Sequence, residues 1–532
     1  MRKQKRMLLI ILVIMLSTNL SHTQVFAKKD QTLPINIEEE TGHGIELIDT
    51  AESTYYNLVK DIVYTYEIKT KPASYLTVTK RMIDRDDHFI FTTLDNQSDQ
   101  AVELSFSIPV ADTGYYSLQS LDQFITGPRF NDAIHVDLTT HPFGLLTTYK
   151  ENEFSSNVMI GKQYHSRKIT DNYEDGRKSV MREFLSENQN FDIDSKEDEL
   201  LFKMDMRSKG EDILDHWLVF SKERLFDSED SFTEWAKIYH NKKRKHNNWY
   251  TAEGPYKKVG KSAEPAPASK LQYARNLLIV REDEALTRYK ETEERYFRNI
   301  MLNSLANLTI FKDGKDYWET EYTNHWLNRR YGIEAPYIDT RHNEKVALYL
   351  EEVGKIFDIP ELRTAIIDYA DFLVKQIEAE QVVKVAPDAY LISDYFTYYQ
   401  DTAVTHSSLN HVLGGMNLLL QTYVDTDEEK YLQAATFIQN GIDELGDQWL
   451  NDQGDTWYQI NPDHSFQGED YPILTLTDLL ISLQLWKEVD DSRIHTIEML
   501  AQSKANYLVN KGVSLPKEVI RLLDEHEIEF GK

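Results

Sequence analysis

The sequence predicts a multidomain α and β protein, with an N-terminal antiparallel β-sandwich-like domain followed by an incomplete α/α toroid. Residues 61–225 alternate apolar and polar side chains, as half-buried strands do. Residues 254–270 carry Gly260, Pro265 and Pro267 in a composition suited to a linker. Beyond them, apolar residues recur every three or four positions to the end of the chain, the period of a helix.

The elements follow in chain order. Residues 1–27 read as a secretory signal peptide. Arg2, Lys3, Lys5 and Arg6 precede the apolar run 7–15, and Val25-Phe26-Ala27 offers a cut after Ala27. A spanning helix needs roughly 20 apolar residues, and this run is shorter. The protein is therefore expected to be secreted or associated with the cell envelope. Cleavage releases it; retention of the same segment anchors it. Residues 28–60 are polar and acidic and read as a lead-in. In the β-rich region, 61–225, Val63, Tyr64, Tyr66 and Ile68 begin a strand, and residues 75–79 and 88–93 supply two more. Val102, Leu104, Phe106 and Ile108 then alternate with polar residues, and 200–206 and 217–220 add strands. Residues 226–275 hold one helix, near 230–248, and the linker. The toroid occupies 276–532, with helices near 283–306, 343–357, 360–380, 406–423, 427–447, 473–487, 490–510 and 515–527.

Composition narrows the function. The formal net charge is −29, which disfavours nucleic acid, because neutralising phosphates needs a basic face. The one basic cluster, Lys242-Lys243-Arg244-Lys245, reads as a solvated helix end. There is no cysteine, so disulfide scaffolds, thiol nucleophiles and thiolate metal sites are all excluded. No metal-ligand spacing is evident and no cofactor is expected; His406 and His411 lie five apart, off the helical i, i+4 pair. There is no Gly-x-Ser-x-Gly elbow and no phosphate-cradling glycine loop. Aromatic residues make up 11% of the chain, with 31 Tyr and 8 Trp. Such rings suit sugar faces, and they equally fill a large helical core.

Three connections concentrate aromatic and ionisable residues. The first contains Trp318, Glu319, Tyr322, Tyr337 and Asp339, and leads to Arg341. The second contains Tyr395, Tyr398, Tyr399 and Asp401, and leads to His406 and Asn410. The third contains Asp455, Trp457, Tyr458, Asp470 and Tyr471. In a toroid such loops gather at one mouth, where they either plug the ring or form a ligand cleft for a polysaccharide or oligosaccharide.

Residues 406–486 resemble the C-terminal domain of D-glucuronyl C5-epimerases. The resemblance rests on the aliphatic helix from Ser408 through Gly414-Gly415-Met416, on Tyr431 to Gly441, on Asp455-Thr456-Trp457-Tyr458, and on Asp470-Tyr471 opening a helix. Pro472 stands where the family continues toward histidines. The resemblance implies a β-domain ahead of an incomplete α/α barrel, a homodimer, and proton abstraction at C5 of a uronate. It would make Tyr458 and Tyr471 the catalytic tyrosines. A tyrosine serves as a base when cations lower its pKa from about 10. Arg341, Arg329 and Arg330 are candidates to hold the carboxylate. An epimerase and a lyase share this first step. A glycoside hydrolase, which needs two carboxylates roughly 5 to 10 Å apart, and a non-catalytic glycan-binding protein are the alternatives.

Overall fold

The computed structural model describes residues 35–531 apart from 84–86, 113–114, 125–136, 197–198 and 242–245. The signal-peptide reading, with its cut at Ala27, and the cluster Lys242-Lys243-Arg244-Lys245 lie outside the described residues.

Among the described residues fourteen strands precede the first long helix: β1 Asn36–Glu39, β2 Ile45–Tyr55, β3 Val59–Ile68, β4 Ser74–Met82, β5 Asp87–Asn96, β6 Val102–Ala111, β7 Tyr116–Ser120, β8 Gly144–Lys150, β9 Glu153–Ile160, β10 Gln163–Asn172, β11 Lys178–Asn188, β12 Phe191–Lys196, β13 Glu199–Ser208 and β14 Asp212–Ser221. They form two antiparallel sheets. The smaller runs β1-β6-β13-β12. The larger runs β11-β10-β14-β5-β4-β3-β2, extended beyond β11 by Gln272–Ala274, Gly254–Lys258 and Trp249–Thr251 and beside β14 by β9, β8 and β7. The alternation legible in β6 buries Val102, Leu104, Phe106 and Ile108. With Phe202, Met204 and Met206 of β13 they meet Tyr64, Leu76, Val78, Leu94, Leu214 and Leu218 of the larger sheet. That is the core of a sandwich, and each such side chain contributes about 1.5–3 kcal/mol on burial.

Two expectations change. The lead-in 28–60 carries β1 and β2, the latter paired along its length with β3. The stretch 254–270, a linker by composition, is instead stitched into the larger sheet through Gly254–Lys258. Pro265 follows a cis peptide bond next to a short strand, Ala263–Glu264, that pairs with Thr323–Asn324. Local composition cannot register these pairings, because the partners lie far along the chain.

Ten helices of nine or more residues are described: α1 Glu229–Asn241, α2 Asp283–Thr292, α3 Arg295–Lys312, α4 Thr340–Ile356, α5 Pro360–Glu378, α6 Leu409–Thr426, α7 Glu429–Leu445, α8 Pro472–Val489, α9 His495–Asn510 and α10 Lys517–Glu525. The single helix expected over 283–306 is two, broken where Glu293 takes a left-handed φ of 56° and Glu294 is extended. Asp427, also left-handed, ends α6 two residues before α7 begins. Helices pack as successive pairs, α4 with α5, α6 with α7 and α8 with α9. Within this layer α6 lies between α4 and α8. Leu413, Met416, Leu420, Leu476, Leu480 and Leu483 fill the space between α6 and α8 and their neighbours. Among the described residues no helix is long and apolar enough to cross a membrane.

The larger sheet is covered on both faces. Its second face presents Phe89, Phe91, Trp217 and Val219 to α1 (Phe232, Trp235, Tyr239) and to α3 (Tyr296, Phe297, Met301). β14 is accordingly buried almost throughout, which explains its continuous apolar run at 217–220.

Candidate active site

The helices α4, α6 and α8 all begin at one end of the layer, and the three aromatic loops precede those beginnings. Short strand pairings lash the loops together. Ile338–Asp339 pairs with Tyr395–Phe396, and Ser407–Ser408 pairs with Trp457–Ile460, which pairs in turn with Phe466–Glu469. Asp339 caps α4, its carboxylate accepting from the His342 amide at 2.9 Å. Tyr471 stands just before α8, where Pro472 occupies the first turn, a position that needs no amide donor.

Asp394 is the centre of the cluster. It accepts from the Ser408 amide at 2.6 Å, and its Oδ2 lies 3.1 Å from His406 Nε2 and 3.5 Å from His411 Nε2. Burial works to raise its pKa, but His411, His406 and the hydrogen bonds outweigh it and hold the carboxyl below its ordinary value. The outer nitrogens are also held: His406 Nδ1 is 3.0 Å from the Tyr331 hydroxyl, and His411 Nδ1 is 2.8 Å from Thr340 Oγ1. Such bonds fix the orientation of each ring.

Nearer solvent are His342, Tyr458 and Tyr471. His342 is pushed down by burial and by the charges of Arg281, His411 and Arg341, which outweigh Asp339 at 3.5 Å. It is neutral at pH 7 and able to accept a proton. Tyr458 is pushed the other way, well above the ordinary phenol, by burial and then by Asp394. It meets Tyr471 edge-on at 5.7 Å between ring centres, and Tyr471 is 50% exposed. These influences favour the protonated phenol of Tyr458, whereas the phenolate base that the resemblance implied would need the opposite shift.

The structure brings Tyr458, Tyr471, Asp339, Tyr395 and His406 into this mouth, with Tyr337 edge-on to Tyr395. It assigns other residues elsewhere. Arg341 does not hold a substrate carboxylate. It is 5% exposed and spans Glu344 and Asp478, at 2.6 Å each, inside the helical layer. Asp455 and Asp470 are not substrate ligands either, because both are tied to the buried Lys504 at 2.7 and 2.9 Å. Trp318 is buried with its indole N–H on the Leu308 carbonyl, and Tyr322 accepts from Asn276. Trp457 packs on the helical core and Asn410 is buried in the first turn of α6. Asp401 is exposed on its connection. Glu319, paired with Lys315, and Tyr399 line a separate cleft, while Tyr398 stacks on Tyr317.

Sequence reasoning missed His342 and Arg281, and it placed Asp394 and His411 in the second loop without assigning them a role. His342 sits beside the more conspicuous Arg341. Asp394 opens the second loop without any local sign that two histidines return to it. Arg281 lies between two short helical segments, pairs with Asp283 at 2.9 Å, and keeps its buried Nε without a hydrogen-bond partner. Among the described residues no group of His, Asp and Glu is arranged to hold a metal ion.

No protein-family model matches the chain, and no curated protein matches it. Solved structures resemble it loosely. A D-mannose isomerase aligns with a TM-score of 0.31 and 13% identity over 43% of this chain and 58% of its own. A cellobiose 2-epimerase from Spirochaeta thermophila gives 0.35 and 13% over 49% and 66%. A family 76 glycoside hydrolase from a bovine Bacteroides thetaiotaomicron strain gives 0.35 and 10% over 79% and 76%. The chain thus spans less than two thirds of the first two.

Proposed function

We propose that this chain is a secreted carbohydrate-active enzyme that moves a proton at a sugar carbon. In this reading its helix pairs form an incomplete α/α toroid, and the substrate is a uronate-containing polysaccharide or oligosaccharide. The observation that carries it is the opposed tuning of His342 and Tyr458 in one aromatic mouth. Two titratable groups driven apart by their surroundings are how one site holds a base and an acid at the same pH. The neutral His342 imidazole takes the proton from the carbon α to the carboxylate. The protonated Tyr458 returns one to the other face in an epimerase, or passes it to the departing C4 oxygen in a lyase. Arg281, paired with Asp283 at 2.9 Å, contributes a positive charge near His342 that would offset the charge developing on the carboxylate. Asp394 and its two histidines orient the wall behind Tyr458.

Hydrolysis by paired carboxylates is less favoured, because five of the loop acids are already engaged. Asp455 and Asp470 bind Lys504, Glu319 binds Lys315, Glu321 binds Arg275 and Glu334 binds Arg177. The test is incubation with uronate polymers in D₂O. Deuterium at C5, or new unsaturated ends, is expected from the native chain and should fall about 100-fold or more in His342→Ala. An inactive native chain, or a His342→Ala variant with full activity, would sink the proposal.

A further inference from the structure

A second cleft lies away from the mouth, between the larger sheet and the C-terminal end of α3. Its volume is 770 Å³, and a further cavity of 290 Å³ adjoins it. A sheet face covered by a helix is ordinarily apolar, as it is around Phe89 and Trp217. Here the same face turns polar, with Tyr75, Thr77, Thr93 and Asp95 on the floor. Tyr256 and Tyr399 supply aromatic walls. Hydroxyls beside ring faces are the furniture of a sugar site.

The charge of this cleft also departs from the rest of the molecule. Six of its 22 lining residues are Lys or Arg and five are Asp or Glu, a formal excess of one positive charge on a chain of −29. Three of these five acids have a cationic partner within the cleft: Glu321 and Glu253 share Arg275, and Glu319 has Lys315. Arg182 lines both cavities. It lies over the Tyr256 ring at 5.2 Å and donates to Ser166 Oγ at 3.3 Å; Asp215 and Asp95 act on its charge from nearby, but among the described residues no carboxylate is within ion-pair distance. Lys168 and Lys178 line the larger cavity, also without an ion pair among the described residues. We propose that this cleft is a second binding site, for an acidic oligosaccharide, whose carboxylates meet Arg182, Lys168 and Lys178 while a sugar ring lies on the exposed Tyr399. Such a site would hold a polymer at a distance from the mouth and lengthen its stay there.

Calorimetric titration of the full chain with oligogalacturonate and with neutral maltohexaose tests it. Tighter binding of the acidic ligand is expected, weakening with salt. Arg182→Gln should lower that affinity about 10-fold or more. Lys168→Gln/Lys178→Gln, on exposed side chains that do not threaten folding, should lower it about 3- to 10-fold. His342→Ala in the mouth should leave it unchanged, so that this proposal and the catalytic one fail separately. Equal affinity for both ligands, no binding of the acidic one, indifference to the lysine substitutions, or loss of binding in His342→Ala would each overturn the second site.

Discussion

A single methyl group at position 414 probes how the helical layer is held together. Gly414 lies within α6, where alanine is ordinarily the better residue by about 1 kcal/mol. The space its side chain would occupy is taken by the Arg341 guanidinium and the Glu344 carboxylate. Arg341 joins Glu344 of its own helix to Asp478 of α8, with all three side chains buried. In Gly414→Ala the guanidinium must move, and two buried carboxylates lose their partner. Breaking a buried ion pair costs about 3–5 kcal/mol, and the helix gain offsets about 1, so a net loss of about 2–4 kcal/mol is expected. Urea denaturation followed by circular dichroism reads this as a lower midpoint at unchanged slope. The cycle is completed in an Arg341→Ala/Glu344→Ala/Asp478→Asn background, where both side chains that fill the methyl's space are cut back. There Gly414→Ala should be neutral or stabilising. An equal loss in both backgrounds, or none in the native one, would refute the argument.

Two further outcomes follow from buried charges. Lys504 is buried in α9 against Asp455, Asp470 and the Thr456 hydroxyl, so Lys504→Met should destabilise by about 3–5 kcal/mol, measured by the same denaturation, and a neutral result would count against it. Glu282 accepts from Asn247 at 2.8 Å, and its carboxyl is pushed up to about 8, chiefly by burial. Its folded pKa lies above its unfolded one, so its contribution to stability is complete below pH 4.5 and disappears as pH rises through about 8. Glu282→Gln should remove that decline, worth about 1.4 kcal/mol per pH unit at most, leaving stability near pH 4.5 little changed and raising it near pH 9. Parallel stability–pH curves for the two proteins would count against it.

What the sequence made legible was periodic. Val102 to Ile108 and Leu413 to Leu420 announce their faces because burial is repeated at a regular spacing. What it concealed was set by partners far along the chain. Gly254 and Pro255 look like linker until β11 and Gln272–Ala274 are seen to extend the sheet toward them. The helix break at Glu293 left no glycine or proline as a marker. At the site, the aromatic loops stood out by composition, and their convergence depends on two-residue strand pairings too short to read. Arg341 looked available because arginine in a loop usually is; Asp478, 137 residues later, consumes it. Tyr458 was placed by the order of motifs, but its surroundings, burial first and then Asp394, are encoded by no local pattern.

The larger sheet has one more implication. Because Trp217 and Val219 belong to the same apolar body as Phe297 and Met301, α3 is closed by the larger sheet, whereas α6 to α9 share a core of their own. Recombination that delivered residues 276–532 to a new gene would deliver an open wound of aromatic side chains. Descent should therefore have kept strands and helices together, so that a relative is to be sought along the whole chain and not by its helices alone.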